Sequence, residues 1–346
     1  MQKYRLAIDA MGTDNAPKPE VDGAIQAIQT YSNLTITLYG DEAQVRPLLE
    51  AAGNPERIAV VHCTEQITNY DESASAFRVK KDSSMVRALQ AVKDGEADAV
   101  MSAGNTGAYL SAATLMIGRI AGVDRPCLTT VFPTTDKNKK VIFADLGAVA
   151  DGTAVNITQN AIIANEIAKV ILKKDEPTVA LLNIGTEEKK GNHLYLQAHQ
   201  MMKAASGINF VGNIEARDIM AGLADVVVAD GFTGNIMLKS HEGMQRAIFT
   251  VLKQEIKSGF LTKIGGLLLK SAFKNMRDTL DYTEVGGAVL AGVKVPVIKA
   301  HGNSDGFTYF AGLRLGLSFL DAHITEKISD SVQAQAVSKK AIEGNE

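Results

Sequence analysis

Two copies of one pattern decide the fold: ADAVMSAGNTG at residues 97–107 and ADVVVADGFTG at residues 224–234. In each copy, apolar residues predict a strand, the glycine pair predicts a tight turn, and the residues that follow predict a helix. A strand joined to a helix in this way is the unit from which parallel sheets are built. Two copies are too few for a solenoid. The sequence therefore predicts an α/β fold that uses one device twice.

Short apolar runs alternate with longer segments of helical period along the rest of the chain. Strands are predicted at residues 4–10, 34–39, 58–63, 97–102, 128–132, 141–145, 179–184, 225–229 and 295–299. Helices are predicted at residues 20–30, 84–93, 108–120, 154–172, 193–205, 235–257 and 307–321. No linker rich in Pro, Ser or Gly divides them, so we expect a single α/β domain over residues 1–346, with a cleft.

The composition excludes several classes of protein. Hydrophobic residues make up 46% and charged residues 22% of the chain, as in a soluble globular protein. The formal net charge of −3 gives no general attraction to nucleic acid, so we expect no nucleic-acid partner. The longest apolar stretch, residues 110–118, is shorter than the roughly 20 residues that span a bilayer, and no signal-peptide pattern opens the chain. We therefore expect a cytoplasmic protein.

The sequence carries no recognisable motif for a metal or a nucleotide cofactor. No GxGxxG turn follows a strand, and there is no Walker lysine turn, paired-cysteine pattern or HExxH. Cys63 and Cys127 lie on separate apolar segments without ligand-like spacing, so we expect buried, reduced thiols. We expect no metal and no cofactor.

The two glycine turns are candidate anion sites. The first amides of a helix favour a negative charge, and glycine lets consecutive N–H groups converge on it. In open α/β sheets, ligands bind at the carboxyl ends of the strands. We assign anion binding to Gly104, Asn105, Thr106 and Gly107 in the first copy, and to Thr233, Gly234 and Asn235 in the second. The alternative is that these residues only cap helices.

Two further polar turns follow predicted strands. Residues 296–306 place His301, Gly302 and Ser304 after a strand. His301 is suited to orient a phosphate oxygen or to act as a general acid, although a histidine that only bonds a backbone carbonyl is an equal alternative. Lys190 precedes a predicted helix, where a lysine can neutralise a phosphate or an oxyanion; the alternative is a solvated surface turn.

A helical protrusion is predicted at residues 241–283, and its centre is basic and amphipathic. Its candidate contact residues are Lys257, Lys263, Leu267, Leu268, Lys270, Lys274 and Arg277. Such a pattern is typical of a helix in a membrane interface or of a basic face for an acidic protein partner. The alternative is a helical hairpin packed at a subunit interface.

These motifs, in this order, resemble the PlsX family of phosphate acyltransferases. The stretches that carry the resemblance are DAMGTD (9–14), KKDSSM (80–85), SAGNTGA (102–108), NIG (183–185), KGN (190–192), FVGNIE (210–215), DGFTGN (230–235) and AHG (300–302). They cover nearly the whole chain. The chain departs from the family pattern at Thr13, Val149, Ala216 and Val289.

The resemblance implies an enzyme that moves a long-chain fatty acyl group from acyl carrier protein to inorganic phosphate, giving acyl-phosphate for phospholipid synthesis. It implies a three-layer, mostly parallel sheet similar to that of isopropylmalate dehydrogenases and phosphotransacetylases, a homodimer, and a possible peripheral contact with the inner face of the membrane. In this interpretation the catalytic residues are Asn105, Lys190, Asn235 and His301. The residues of the two glycine turns, together with Gly302 and Ser304, bind phosphate. Lys190 counters negative charge, and His301 orients an oxygen or protonates the leaving sulfur.

Three alternatives stay open at this point. A phosphotransacetylase-like enzyme would use a short acyl-CoA as donor. A metal- and NAD-dependent dehydrogenase of the same fold class would need arginines for a substrate carboxylate and clustered aspartates for the metal. A module that binds acyl carrier protein and membrane without catalysis would explain the basic segment but not the paired glycine turns.

Overall fold

The computed structural model describes residues 2–73, 75–280 and 286–335. Within these ranges it contains eleven strands: β1 (Tyr4–Asp9), β2 (Leu34–Gly40), β3 (Ile58–His62), β4 (Ala99–Ser102), β5 (Cys127–Pro133), β6 (Lys140–Ala144), β7 (Thr178–Asn183), β8 (Asn209–Glu215), β9 (Val226–Val228), β10 (Ala288–Ala291) and β11 (Val297–Lys299). All nine predicted strands are present, with small shifts at their ends. The sequence did not predict β8 and β10.

The same ranges contain twelve α-helices: α1 (Lys18–Thr30), α2 (Glu42–Ala51), α3 (Ala76–Val79), α4 (Ser84–Lys93), α5 (Thr106–Met116), α6 (Ala154–Ile171), α7 (His193–Ala204), α8 (Gly231–Lys257), α9 (Phe260–Leu268), α10 (Lys270–Leu280), α11 (Gly306–Asp321) and α12 (Ile324–Gln335). A 3₁₀ helix covers Ala216–Ala221. The seven predicted helices are among them. The predicted protrusion corresponds to most of α8 with α9 and α10; its residues 281–283 and the side chain of Arg277 lie outside the described part.

The strands form one sheet in the order β3-β2-β1-β4-β11-β10-β5-β6-β9-β7-β8. Seven of these ten pairings are parallel. The three antiparallel pairings are consecutive in the middle of the sheet: β11 with β10, β10 with β5, and β5 with β6. Three reversals leave β4 and β9 running in opposite directions. The carboxyl ends of β4 and β9 therefore point in opposite directions, and the two copies of the repeated unit start their helices at opposite ends of the strands.

Helices cover both faces of the sheet, so the three-layer α/β architecture is confirmed. Neighbouring residues of a strand face opposite layers: Val227 of β9 belongs to the core cluster that includes α4 and α5, whereas Val226 and Val228 pack with α6, α7 and α12. In the other half of the sheet, α1 and α11 cover β1 and β2. Burial on both faces explains why these strands read as continuous apolar runs.

Both cysteines are buried and form no disulfide, as expected. Burial raises the pKa of the Cys63 thiol to about 11, and it raises the pKa of Cys127 further. Both side chains therefore stay protonated near neutral pH, which is unfavourable for a nucleophilic role.

Gly234 offers a test of how α8 is seated. A Cβ on Gly234 would lie 1.9 Å from the backbone oxygen of Asp145, so the helix or the loop after β6 would have to move. We expect Gly234→Ala to lower the free energy of unfolding by about 1–3 kcal/mol. Gly243 lies in the same helix with no atom within 4 Å of an added Cβ. Gly243→Ala should raise stability by up to about 1 kcal/mol. Urea denaturation that gave both variants equal stability would contradict this packing.

Candidate active site

A cavity of about 360 Å³ lies on the face of the sheet where α5 begins and α8 passes β11. Its volume falls in the range of small-molecule sites. Its lining includes five of the predicted site residues: Gly104, Thr106, Asn235, His301 and Gly302. It also includes two lysines that the sequence analysis did not predict, Lys239 and Lys299. The structure thus brings together members of both glycine turns and of the turn after β11.

The course of α8 explains how these distant segments meet. The helix begins at the end of β9, where the side chain of Asp230 caps it by accepting from the Thr233 amide at 3.0 Å. Asn235, Lys239 and Glu242 then recur at the spacing that places side chains on one face of a helix. Asn235 and Lys239 line the cavity, and Glu242 reaches the turn after β11. The second glycine turn therefore contributes through its helix rather than through a shared edge of the sheet.

Lys299 is a buried cation in the cavity wall. It ends β11 after two fully buried apolar residues, and its side chain is 9% exposed. Its Nζ donates to the backbone oxygen of Ala103 at 3.2 Å and to that of Ala300. Burial lowers the pKa of Lys299 to about 8, although the nearby Asp9 carboxylate acts in the opposite direction. A negatively charged ligand in the cavity would stabilise its protonated form.

His301 is positioned by a carboxylate from α8. Its Nε2 lies 3.4 Å from Glu242 Oε1, and the other carboxylate oxygen of Glu242 lies 2.9 Å from Lys239 Nζ. Burial alone would raise the pKa of Glu242, but the contacts with His301 and Lys239 dominate and lower it to about 2. Glu242 is therefore a carboxylate that holds two cationic or ionisable groups at the cavity. Sequence reasoning missed it because only the fold places it beside His301.

Residues 9–14, at the end of β1, contact the first glycine turn and hold its backbone in place. Asp9 is buried; its carboxylate accepts from Ser102 Oγ at 2.6 Å and from the Met11 amide at 3.2 Å. The Gly104 amide in turn donates to Ser102 Oγ at 3.0 Å. A Cβ on Gly12 would lie 2.7 Å from the Gly104 nitrogen, so the two backbones touch and only glycine fits. This contact fixes the backbone of Gly104 at the cavity wall.

Asn105 serves as a structural cap in the described conformation. Its Oδ1 accepts from the Ala108 amide at 3.0 Å and from Ser73 Oγ at 3.1 Å. Its Nδ2 donates to the backbone oxygen of Thr68 at 3.1 Å. Gly107 packs against Ser73, because an added Cβ would approach the Ser73 Cβ to 2.7 Å. Neither Asn105 nor Gly107 is among the residues that line the cavity.

The second glycine turn also has internal partners. Thr233 Oγ1 donates to Asp230 Oδ2 at 2.7 Å, and Gly234 packs on the backbone of Asp145. The buried Asp145 carboxylate accepts hydrogen bonds from four backbone amides: Leu128 (2.8 Å), Gly147 (3.1 Å), Ala148 (2.9 Å) and Val149 (2.9 Å). Val149 thus contributes its backbone N–H, whichever side chain it carries. Thr233 and Gly234 do not line the cavity.

The two remaining predicted site residues lie apart from the cavity lining. Lys190 is in the turn after β7, half exposed, with its Nζ 3.9 Å from Glu187 Oε1. Ser304 is buried, its amide donates to the His301 carbonyl at 3.1 Å, and its hydroxyl has no hydrogen-bond partner among the described residues. The roles assigned to both stay predictions. Across residues 2–73, 75–280 and 286–335, no group of three or more His, Cys, Asp or Glu side chains is arranged to hold a metal ion.

Comparison with known proteins identifies the family. Residues 4–327 match the profile of the family described as "Fatty acid synthesis protein". A phosphate acyltransferase of Streptococcus uberis is 45% identical over 335 residues, covering 96% of this chain and 99% of the relative. A phosphate acyltransferase of Shouchella clausii is 43% identical over 329 residues, covering 95% of this chain and 98% of the relative.

The fold has distant structural relatives. A phosphotransacetylase from Streptococcus pyogenes superposes with a TM-score of 0.58 at 18% identity, over 92% of this chain and 94% of that structure. This likeness confirms the fold class that the sequence predicted. The sequence matches confirm the family resemblance: the chain belongs to the fatty acid synthesis protein family, the PlsX family, in which its curated relatives are phosphate acyltransferases.

Proposed function

We propose that this protein transfers a long-chain acyl group from acyl carrier protein to inorganic phosphate. The observation that carries the proposal is the cavity in which Lys299, Lys239 and His301 face the Gly104 turn, in a chain whose relatives are named phosphate acyltransferases. Two lysines provide the positive charge that a phosphate needs, and an ionisable imidazole stands beside them.

In the proposed reaction, a phosphate oxygen attacks the carbonyl carbon of the acyl thioester. The tetrahedral oxyanion collapses, the carbon–sulfur bond breaks, and the departing thiolate takes a proton from His301. The products are the acyl-phosphate and the free thiol of the carrier, so no covalent enzyme intermediate or cofactor is required. The protein has to hold the two reactants together and stabilise the developing charge.

The residues divide these tasks. Lys299 and Lys239 attract the phosphate, the Gly104 backbone and Asn235 border it, and Glu242 holds His301 toward the cavity. The predicted role of Lys190 in neutralising charge is kept as a separate proposal, because its side chain is not part of the cavity lining. Wild-type kinetics in a Lys190→Ala variant would remove it from the mechanism.

The helical protrusion supports a surface role for the segment from Lys257 to α10. No residue of α9 is buried, and Phe260, Leu261, Leu267 and Leu268 are 72–81% exposed. Lys257, Lys263, Lys270 and Lys274 are also exposed. Exposed apolar side chains among lysines suit an anionic membrane surface and an acidic carrier protein. No helix in the described ranges is long and apolar enough to cross a bilayer.

The donor can be identified directly. We expect the purified protein, given long-chain acyl-ACP and phosphate, to form a product that hydroxylamine traps as the acyl hydroxamate, in proportion to the phosphate added. Acetyl-CoA should give far less product. Product from acetyl-CoA alone would assign the protein to phosphotransacetylase chemistry, and no product from either donor would favour a module that binds without catalysis.

Lys299→Met and His301→Asn should change different kinetic constants. Lys299→Met should raise the KM for phosphate about 10- to 100-fold, because a charge-assisted contact is lost. Since the pKa of Lys299 is about 8, its positive charge disappears above that pH. The wild-type KM for phosphate should therefore rise above pH 8, and Lys299→Met should lack this rise. His301→Asn should instead lower kcat about 10²- to 10⁴-fold, and less with an aryl thioester whose thiol leaves readily.

Lys294→Met is the matched control for Lys299, because Lys294 is exposed shortly before β11 and does not line the cavity. It should keep the wild-type KM for phosphate. An unchanged KM in Lys299→Met would exclude Lys299 from phosphate binding, and equal losses of His301→Asn with both kinds of thioester would exclude the imidazole as the acid.

The protrusion can be tested by membrane binding. We expect the double variant Leu267→Glu, Leu268→Glu to lose at least tenfold in affinity for vesicles that contain phosphatidylglycerol, measured by co-sedimentation, because two charges replace its apolar contacts. Leu223→Glu, which alters an exposed leucine outside the protrusion, should bind as the wild type does. Retained binding by the double variant would favour the subunit-interface alternative.

A further inference from the structure

A second cavity adjoins the catalytic one. It also has a volume of about 360 Å³, and its wall is mostly carbon. Phe132 of β5, Met220 of the 3₁₀ helix, and Leu238, Met244 and Ile248 of α8 form much of that wall. The mechanism proposed above gives no role to these side chains. Leu238 also borders the catalytic cavity.

The two cavities meet at α8, which contributes side chains to both. Leu238 lines both of them, and Glu242 contacts His301 while also lining the apolar cavity. A ligand whose reactive carbonyl lies beside His301 therefore has an apolar path that starts at Leu238. The two lysines line the first cavity, whereas Glu242 brings a carboxylate to the otherwise mostly apolar wall of the second.

His241, one of the polar side chains in the apolar wall, has partners within the protein. His241 Nδ1 lies 3.0 Å from the backbone oxygen of Met237, within hydrogen-bond distance, and its ring meets the Phe132 ring edge to face at 6.1 Å. At His241 the wall therefore does not require a hydrogen bond from the ligand to Nδ1.

The length of the cavity also fits one class of ligand. The path runs along α8 from Leu238 to Ile248, which spans about 15 Å at the α-helical rise. One leaflet of a bilayer has an apolar thickness of about 15 Å, half of the bilayer's hydrocarbon core, and is filled by single fatty acyl chains. Met244 and Ile248 are 63% and 48% exposed at the far end, so the path opens to the surface there.

We propose that this second cavity binds the hydrocarbon tail of the acyl donor and that Met244 and Ile248 set the chain length that is used best. The inference rests on the proposed function, since it places the thioester beside His301. Each methylene that enters the apolar cavity should improve affinity about fourfold. The enzyme's preference for long chains would then come from this wall of α8, not from the charged cavity.

The test is a chain-length series of acyl-ACP donors from eight to sixteen carbons, with kcat/KM measured for each. Ile248→Trp fills the far end of the path, and we expect it to lower the ratio of kcat/KM for the C16 donor to that for the C8 donor at least tenfold. Met244→Trp should act in the same direction. Ala247→Trp is the matched control: it adds the same ring one residue away, at an exposed position that does not line the cavity. It should keep the wild-type ratio.

A binding measurement separates this inference from the proposed reaction. A non-hydrolysable C16 thioether of pantetheine should bind the wild-type protein and Ala247→Trp with equal affinity in calorimetry, and Ile248→Trp at least tenfold more weakly. That result with no turnover of any donor would retain the tail site and reject the reaction. Equal C16 binding by Ile248→Trp, or an unchanged chain-length ratio, would overturn the tail site. Loss of a dimer in Ile248→Trp with an unchanged ratio would also overturn it and assign the groove to contact between copies.

Discussion

The site depends on the three consecutive antiparallel pairings at the centre of the sheet. They reverse the direction of the second half of the sheet, so α5 and α8 begin at opposite edges although they follow copies of the same motif. A helix that starts at the far edge has to run back across the face of the sheet. This course brings Asn235, Lys239 and Glu242 past the end of β11, where Lys299 and His301 lie.

At each of the two helix starts, an internal side chain accepts one of the first amides. Asn105 caps α5, Asp230 caps α8, and Asp145 gathers four amides of its own. A carboxylate or carboxamide held at a helix start does what an external anion would otherwise do. The positive charge that faces the cavity therefore comes from the lysine side chains. The glycines serve close packing, as at Gly12 and Gly234, where an added Cβ would strike backbone atoms.

The sequence predicted those parts of the fold whose strands are buried on both faces, because such strands are continuous apolar runs. It missed β8, an edge strand in which exposed and half-exposed residues prevail, and β10, which is only four residues long and follows two glycines. At the site, the glycine turns and His301 stood out by composition. Lys299 did not, since a lysine after Val297 and Ile298 looks like the solvated end of a strand. Its burial follows from pairing with β4 and β10, which no local pattern reveals.

The central position of β10 and β11 has a consequence for synthesis on the ribosome. These strands come near the end of the chain, yet they fill the gap between β4 and β5. Until residues 288–299 emerge, one edge of β4 and one edge of β5 have no partner. The face of α1 that packs against α11 also stays uncovered until α11 is made. Unpaired edges invite pairing with other chains, and contacts between residues so far apart in sequence form slowly. The nascent protein thus exposes two unpaired strand edges from the synthesis of β5 until β10 and β11 emerge, and this is the interval in which it is most open to wrong pairing.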